Sequence, residues 1–280
     1  MRIFVLGSGS SGNCLVVQAE GERLVVEAGM GPARARAGMN RLGADLLVSR
    51  APLGIFLTHE HGDHSAHAAP LSRALKAPLL AHERMPLPWP SVKQYTPGRP
   101  LDLGPFLVET LPLPHDAPHV AVRVTAGAHR FALATDLGRP TRDLRAFLGA
   151  CDLVLLEANY CPSMLESGSY PGHLKRRVAG PLGHLANSQA AELAASLVDT
   201  RVSHLVLVHL SRANNTPERA IDCVASKARG LPVEVLPQGV SRFFDVRRNK
   251  PRSGPAARAE QLAFGFGWAG ENVLRGSRHA

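Results

Sequence analysis

The 280-residue chain has only four cysteines, Cys14, Cys151, Cys161 and Cys223, and no C-x-x-C pair among them. That excludes a disulfide framework and reads as free thiols in a reducing compartment. No run of about eighteen apolar residues occurs, so no membrane span is expected, and the apolar stretch 3–6 is too short for a signal-peptide core. A cytoplasmic protein is the expectation. No internal repeat is visible, and no Gly/Ser-rich linker interrupts residues 1–246. One domain over 1–246, followed by a tail over 247–280, is the simplest organisation.

Charge is present in excess but unevenly placed. The chain carries a net +9, of which +5 falls in the tail, where seven Lys or Arg face Glu260 and Glu271. Rich in Gly, Pro and Ala, the tail buries little and is expected to be mobile. Two readings stand side by side: a polyanion-gathering arm, or a solubilising end without a partner.

Residues 7–12, GSGSSG, satisfy the G-x-G-x-x-G pattern of dinucleotide-binding loops. That chemistry needs a strand before the glycines and a helix after them, whose N-terminal amides hold the pyrophosphate. A strand over 2–6 precedes them, but 14–17 and 24–26 read as further strands around a polar turn, so the nucleotide reading fails on context. Further strands are expected over 53–58, 78–81, 106–111, 120–124, 130–134, 153–157, 204–208 and 233–236. Helices are expected over 33–42, 67–76, 188–198 and 217–229, the last capped by Thr216. A proline-rich excursion occupies 86–100. An α/β protein of mixed sheets with helices on their outer faces follows.

Residues 58–64 read THEHGDH and place His59, His61, Asp63 and His64 on one loop after an apolar strand. Imidazole nitrogens and a carboxylate so clustered select a divalent transition metal, with zinc, manganese and iron all admitted. The loop alone cannot fill two coordination shells. Further donors stand where other apolar strands end: His115 with Asp116 in LPLPHDA, Asp136 in ALATDLG and His209 in LVLVHLS. Any one of these alone is an ordinary turn residue; their recurrence beside the histidine loop is the signal.

This loop, followed in order by His115, Asp136 and His209, resembles the metallo-β-lactamase fold superfamily of hydrolases. The likeness is closer to its YycJ or WalJ-like branch, through VLGSGSSGN at 5–13, LEAN at 156–159, YPGHLKRRV at 170–178, GHLAN at 183–187 and HLSRANN at 209–215. It covers 1–246 and not the tail. The resemblance implies an αββα sandwich with two divalent ions at one edge, zinc first among them. His59, His61 and His115 would hold one ion and Asp63, His64 and His209 the other, with Asp136 bridging. The glycine loop 7–13 would then bring backbone close to substrate.

Such a pair of ions turns a shared water into hydroxide and clamps the oxygens of an in-line displacement. The branch implies phosphodiester hydrolysis, as a 5′-to-3′ exonuclease, with nucleic acid, DNA before RNA, as substrate. Asp63, Asp136 and His184 are the implied catalytic set. His184 reads as a phosphate ligand or proton donor, or equally as a turn residue before a helix capped by Asn187. Asn13, Asn159, Asn187, Asn214 and Asn215 are candidate substrate contacts. Glu27 stands where the superfamily has Asp, as a residue orienting a ligand histidine; Tyr160, Cys161 and Ala186 also depart from the branch. Thioester or small-ester hydrolysis is the rival activity, and a nucleic-acid binder without turnover the third reading.

Overall fold

The computed structural model describes residues 1–44, 50–85 and 92–246. The expected tail over 247–280 and part of the proline-rich excursion lie outside the described residues.

Short, largely apolar runs, most of them buried on both faces, build two seven-stranded sheets. The first contains β1 (Arg2–Gly7), β2 (Cys14–Ala19), β3 (Glu22–Val26), β4 (Ile55–Phe56), β5 (Leu79–His82), β6 (Val92–Tyr95) and, at its edge, β14 (Arg242–Asp245). The second contains β7 (Leu101–Leu103), β8 (Phe106–Pro112), β9 (Val120–Ala126), β10 (His129–Ala134), β11 (Leu153–Glu157), β12 (His204–Val208) and β13 (Val233–Val235). Strand order is β14-β1-β2-β3-β4-β5-β6 in one and β13-β12-β11-β10-β9-β8-β7 in the other. Each sheet is antiparallel in one half and parallel in the other, from β3 to β6 and from β10 to β13.

Burial follows the pleat. Val5, Val17, Val26 and Phe56 meet Val122, Phe131, Leu155 and Val206 in a core between the sheets. The opposite faces are covered by helices. Phe4, Val16, Val25 and Ile55 pack with Met39 of α1 (Pro32–Arg41) and Leu71 of α3 (Ala68–Leu75). Ala132, Val154 and Leu207 pack with Leu148 of α4 (Arg142–Gly149), Ala194 of α7 (Asn187–Leu197) and Val224 of α8 (Pro217–Lys227). This is the αββα sandwich. Period-2 alternation gives each strand one face toward its partner sheet and one toward the helices.

Three short helices complete the chain: α2 (Gly62–Ser65), α5 (Pro162–Ser167) and α6 (Gly172–Ala179). Thr216 caps α8 by accepting from the Arg219 amide at 3.2 Å. The helix expected from 188 starts one residue earlier: Ala186 is the cap and Asn187 the first helical residue. The strand expected over 53–58 pairs regularly only at β4, because the chain then turns into the histidine loop.

Candidate metal centre

The parallel halves of the two sheets aim their carboxyl ends at one place. Glu27 follows β3, the histidine loop follows β4, Asp136 follows β10, Glu157 ends β11 and His209 follows β12. Loops at the carboxyl ends of parallel strands are where such sheets present chemistry. Glu27, Asp136 and His209 all take the left-handed backbone region, with φ of 67°, 57° and 58°. For non-glycine residues this is a strained turn, of order 1–3 kcal/mol each, which persists where surroundings impose it.

Two donor groups adjoin. His59, His61 and His115 form one and Asp63, His64 and His209 another, with ligand atoms within 4.8 Å of one another in each group. Asp136 joins His59 and His64 in a third group of the same compactness. His115 Nε2 lies 3.1 Å from His61 Nδ1, and Asp63 Oδ2 lies 3.2 Å from His209 Nε2. Asp136 Oδ2 stands 3.1 Å from His64 Nε2.

The donor chemistry fits divalent ions. His59 Nε2 is buried with no hydrogen-bond partner, and a buried polar atom of this kind requires an explanation such as an ion. Burial, reinforced by His64 and His119, holds His59 well below the usual imidazole range, so its nitrogen stays available as a ligand. Asp63 also stays ionised: burial raises it, but hydrogen bonds from His209 and His64 outweigh that and hold it far below the carboxylate range. Burial lowers His209, yet Asp136, Asp63 and Glu157 together push it up to about 10. Burial likewise opposes a proton on His64, but Asp136 and Glu27 overcome it and raise its pKa. A pocket holding this many buried carboxylates attracts positive charge, whether protons or a metal.

Two glutamates fix the rings. Glu27 accepts from the Thr58 hydroxyl at 2.5 Å and lies 3.2 Å from His64 Nδ1. Glu157 Oε1 lies 2.8 Å from both His209 Nδ1 and His184 Nδ1, while its Oε2 accepts from the Leu137 and Leu185 amides. For His209 and His184, holding Nδ1 in this way sets the tautomer and turns Nε2 toward the centre. Glu157 was not among the site residues expected from the sequence, although a glutamate ending the apolar run LVLLE is a legible signal. His119 was missed as well: its Nε2 donates to the Thr135 carbonyl at 2.6 Å and its ring lies 4.3 Å from His59.

The glycine loop is also packed backbone to backbone against its neighbours. Gly12 has φ of 122°, and a Cβ on it would collide with the Gly29 carbonyl; a Cβ on Gly29 would collide with the Asp63 carbonyl. The Asn13 amide donates to that same carbonyl at 2.7 Å, and its side chain reaches Asp63 Oδ2 at 3.3 Å and His64 Nε2 at 2.9 Å. The glycines therefore let three loops cross at backbone contact and fix the histidine loop. Ser10 is the part of this loop that lines the adjoining cleft.

The cleft has a volume of about 420 Å³ and is lined by His61, Asp63, Asp136, His184 and His209 on the centre side. Asn159, Asn214, Tyr170 and Arg177 also line it. Asn187 and Asn215 stand behind it, their amides bonded to each other in both directions at 2.8 Å.

A family model described as the β-lactamase superfamily domain matches residues 22–210. The chain belongs to this superfamily. Exodeoxyribonuclease YycJ of Bacillus anthracis is 29% identical to it over 265 residues, 90% of this chain and 96% of that protein. Exodeoxyribonuclease WalJ of Streptococcus pneumoniae serotype 2 is 30% identical over 77% of this chain and 84% of that one. Among solved structures, the metallo-β-lactamase fold protein YhfI from Bacillus subtilis superimposes with a TM-score of 0.66 at 19% identity, covering 87% of this chain and 99% of that one. The superfamily match ends at residue 210, so it includes every nominated metal donor from His59 to His209. It leaves out Asn214, which lines the cleft of this β-lactamase superfamily member, and Asn215, which donates to the Ala158 carbonyl at 2.8 Å.

Proposed function

We propose that this enzyme hydrolyses phosphodiester bonds of nucleic acid, DNA before RNA, at a centre of two divalent ions. His59, His61 and His115 would hold one, Asp63, His64 and His209 the other, and Asp136 both. Zinc suits these ligands, and so do manganese and iron. When bound, the ions supply the Lewis acidity that activates water and steadies charge on the phosphoryl oxygens. The observation carrying this reading is the meeting of the two donor groups at Asp136, whose carboxylate lies within 4.8 Å of the ligand nitrogens of His59 from one group and His64 from the other. The names of the two curated relatives favour DNA over small acyl substrates.

The chain's own residues divide the remaining work. His184 has Nδ1 tied to Glu157 and its side chain on the cleft, leaving Nε2 to carry a proton for the leaving oxygen. Burial lowers its pKa, but Glu157 and then Asp136 outweigh that and raise it, which favours the protonated donor form. Asn159 donates to the His209 carbonyl at 2.9 Å and so keeps that turn in place. Asn214 offers a buried Oδ1 without a hydrogen-bond partner beside the cleft. The test is release of nucleotides from 5′-phosphorylated DNA by protein loaded with Mn²⁺ or Zn²⁺. Cleavage by the wild type and none by His184→Ala supports the role given to His184. Turnover of thioesters with no cleavage of DNA would replace the nuclease reading with acyl hydrolysis.

A further inference from the structure

One wall of the cleft is made by the segment from α5 to α6, which presents Tyr170, Leu174 and Arg177. Arg177 is already committed: its Nε and Nη2 donate to Asp116 Oδ2 at 2.9 and 2.7 Å. What this wall leaves for recognition is apolar and aromatic. Among the described residues lining the cleft, Tyr170 is the one aromatic side chain other than histidine. It is half-buried and packs with Leu174 against a small cluster of Tyr160, Leu165, Val178 and Ala186, separate from the main cores. That backing holds the ring in place at the cleft without enclosing it.

We propose that Tyr170 is a stacking platform for one unpaired nucleobase at the terminal nucleotide, whether that end belongs to a single strand or to a frayed duplex. This rests on the phosphodiesterase reading and adds to it the conformation of the substrate. Volume argues in the same direction. About 420 Å³ lies toward the small end of the range of roughly 300–1,000 Å³ for small-ligand sites, room for one nucleotide. An aromatic face accepts any base, so the platform gives affinity without sequence preference. Polar groups also line the cleft: Ser211 accepts from the Asn214 amide, Gln238 donates to the Leu210 carbonyl, and Asn214 Oδ1 is left without a partner to meet a sugar donor.

The experiment compares two single-stranded oligonucleotides, one of normal sequence and one with an abasic nucleotide at the cleaved end, using metal-loaded enzyme. Wild type is expected to prefer the base-bearing strand by about tenfold or more in kcat/KM. Tyr170→Leu keeps apolar packing on the cluster but removes the aromatic face. It should lose the preference by slowing on the base-bearing strand alone, and Tyr170→Phe should restore it. Equal rates on both strands in the wild type, or an intact preference in Tyr170→Leu, would overturn the platform. Equal loss on both strands in Tyr170→Leu would make Tyr170 a packing residue and overturn it too. If the wild type cleaves neither strand, it is the nuclease reading that fails, and the platform goes with it.

Discussion

Glu157 shows what one buried charge does here. It is fully buried, ends a strand of apolar residues, and holds two histidines and two backbone amides with its two oxygens. Burial raises its pKa, but His184 and His209 outweigh burial and bring it down to about 2. Glu157→Gln should weaken metal affinity by about 10- to 100-fold, as loss of such orienting partners does. Competition titration against a chromophoric chelator measures this, and unchanged affinity would show that the two rings need no such anchor. Cys161 gives a second prediction at this scale. Burial opposes its ionisation, but hydrogen bonds from Ser163, Met164 and Arg219 together outweigh it and bring its pKa down to about 7. Its thiolate forms as pH rises through 7, so its alkylation rate should reach half its plateau there. Cys14 and Cys151 are buried and pushed up to about 12, so both should stay unmodified in the folded protein. Peptide mapping after iodoacetamide at several pH values reads all three, and a Cys161 rate still climbing above pH 9 would contradict this environment.

At the scale of elements, the centre depends on how loops are joined to one another. Asn215 donates to the Ala158 and Asn159 carbonyls, exchanges hydrogen bonds with Asn187, and accepts from the Thr216 amide. It ties the end of β11 to the starts of α7 and α8. Asn215→Ala leaves these buried groups unpaired and should cost about 2 kcal/mol of stability, read from urea unfolding; a cost below about 0.5 kcal/mol would mean that this clamp is dispensable. Much of this level was legible in the sequence. Histidine and aspartate interrupt apolar runs at 58–64, 136 and 209, so the strand ends announced themselves. Neither the pairing of Asn187 with Asn215 nor the crossing of Gly12, Gly29 and Asp63 had such a signal, because each joins residues distant in sequence and neither follows a period. The wall from α5 to α6 was also missed. Its helices are short, and GHLKRRVA buries only Val178, so no apolar stripe marks it.

For the whole molecule, sheet topology decides where chemistry sits. Each sheet turns from antiparallel to parallel, and the carboxyl ends of the parallel strands face a common edge, which alternation in the sequence could suggest as layers but not as strand order. The charge distribution adds a feature of the full chain. Removing residues 247–280 takes away +5 and should lower DNA affinity and flatten its salt dependence together, while hydrolysis of a small phosphodiester stays within twofold. Filter binding across a salt series, paired with a chromogenic diester assay, separates the two effects. An unchanged salt slope would give the tail no part in DNA attraction.

The most direct measurement is nucleotide release from single-stranded DNA by metal-loaded wild type and by Asp136→Ala, with bound metal counted in both. The account predicts two ions per chain and cleavage in the wild type, with fewer ions and no cleavage in the variant. Two ions per wild-type chain without DNA cleavage, or full activity in Asp136→Ala, would contradict it.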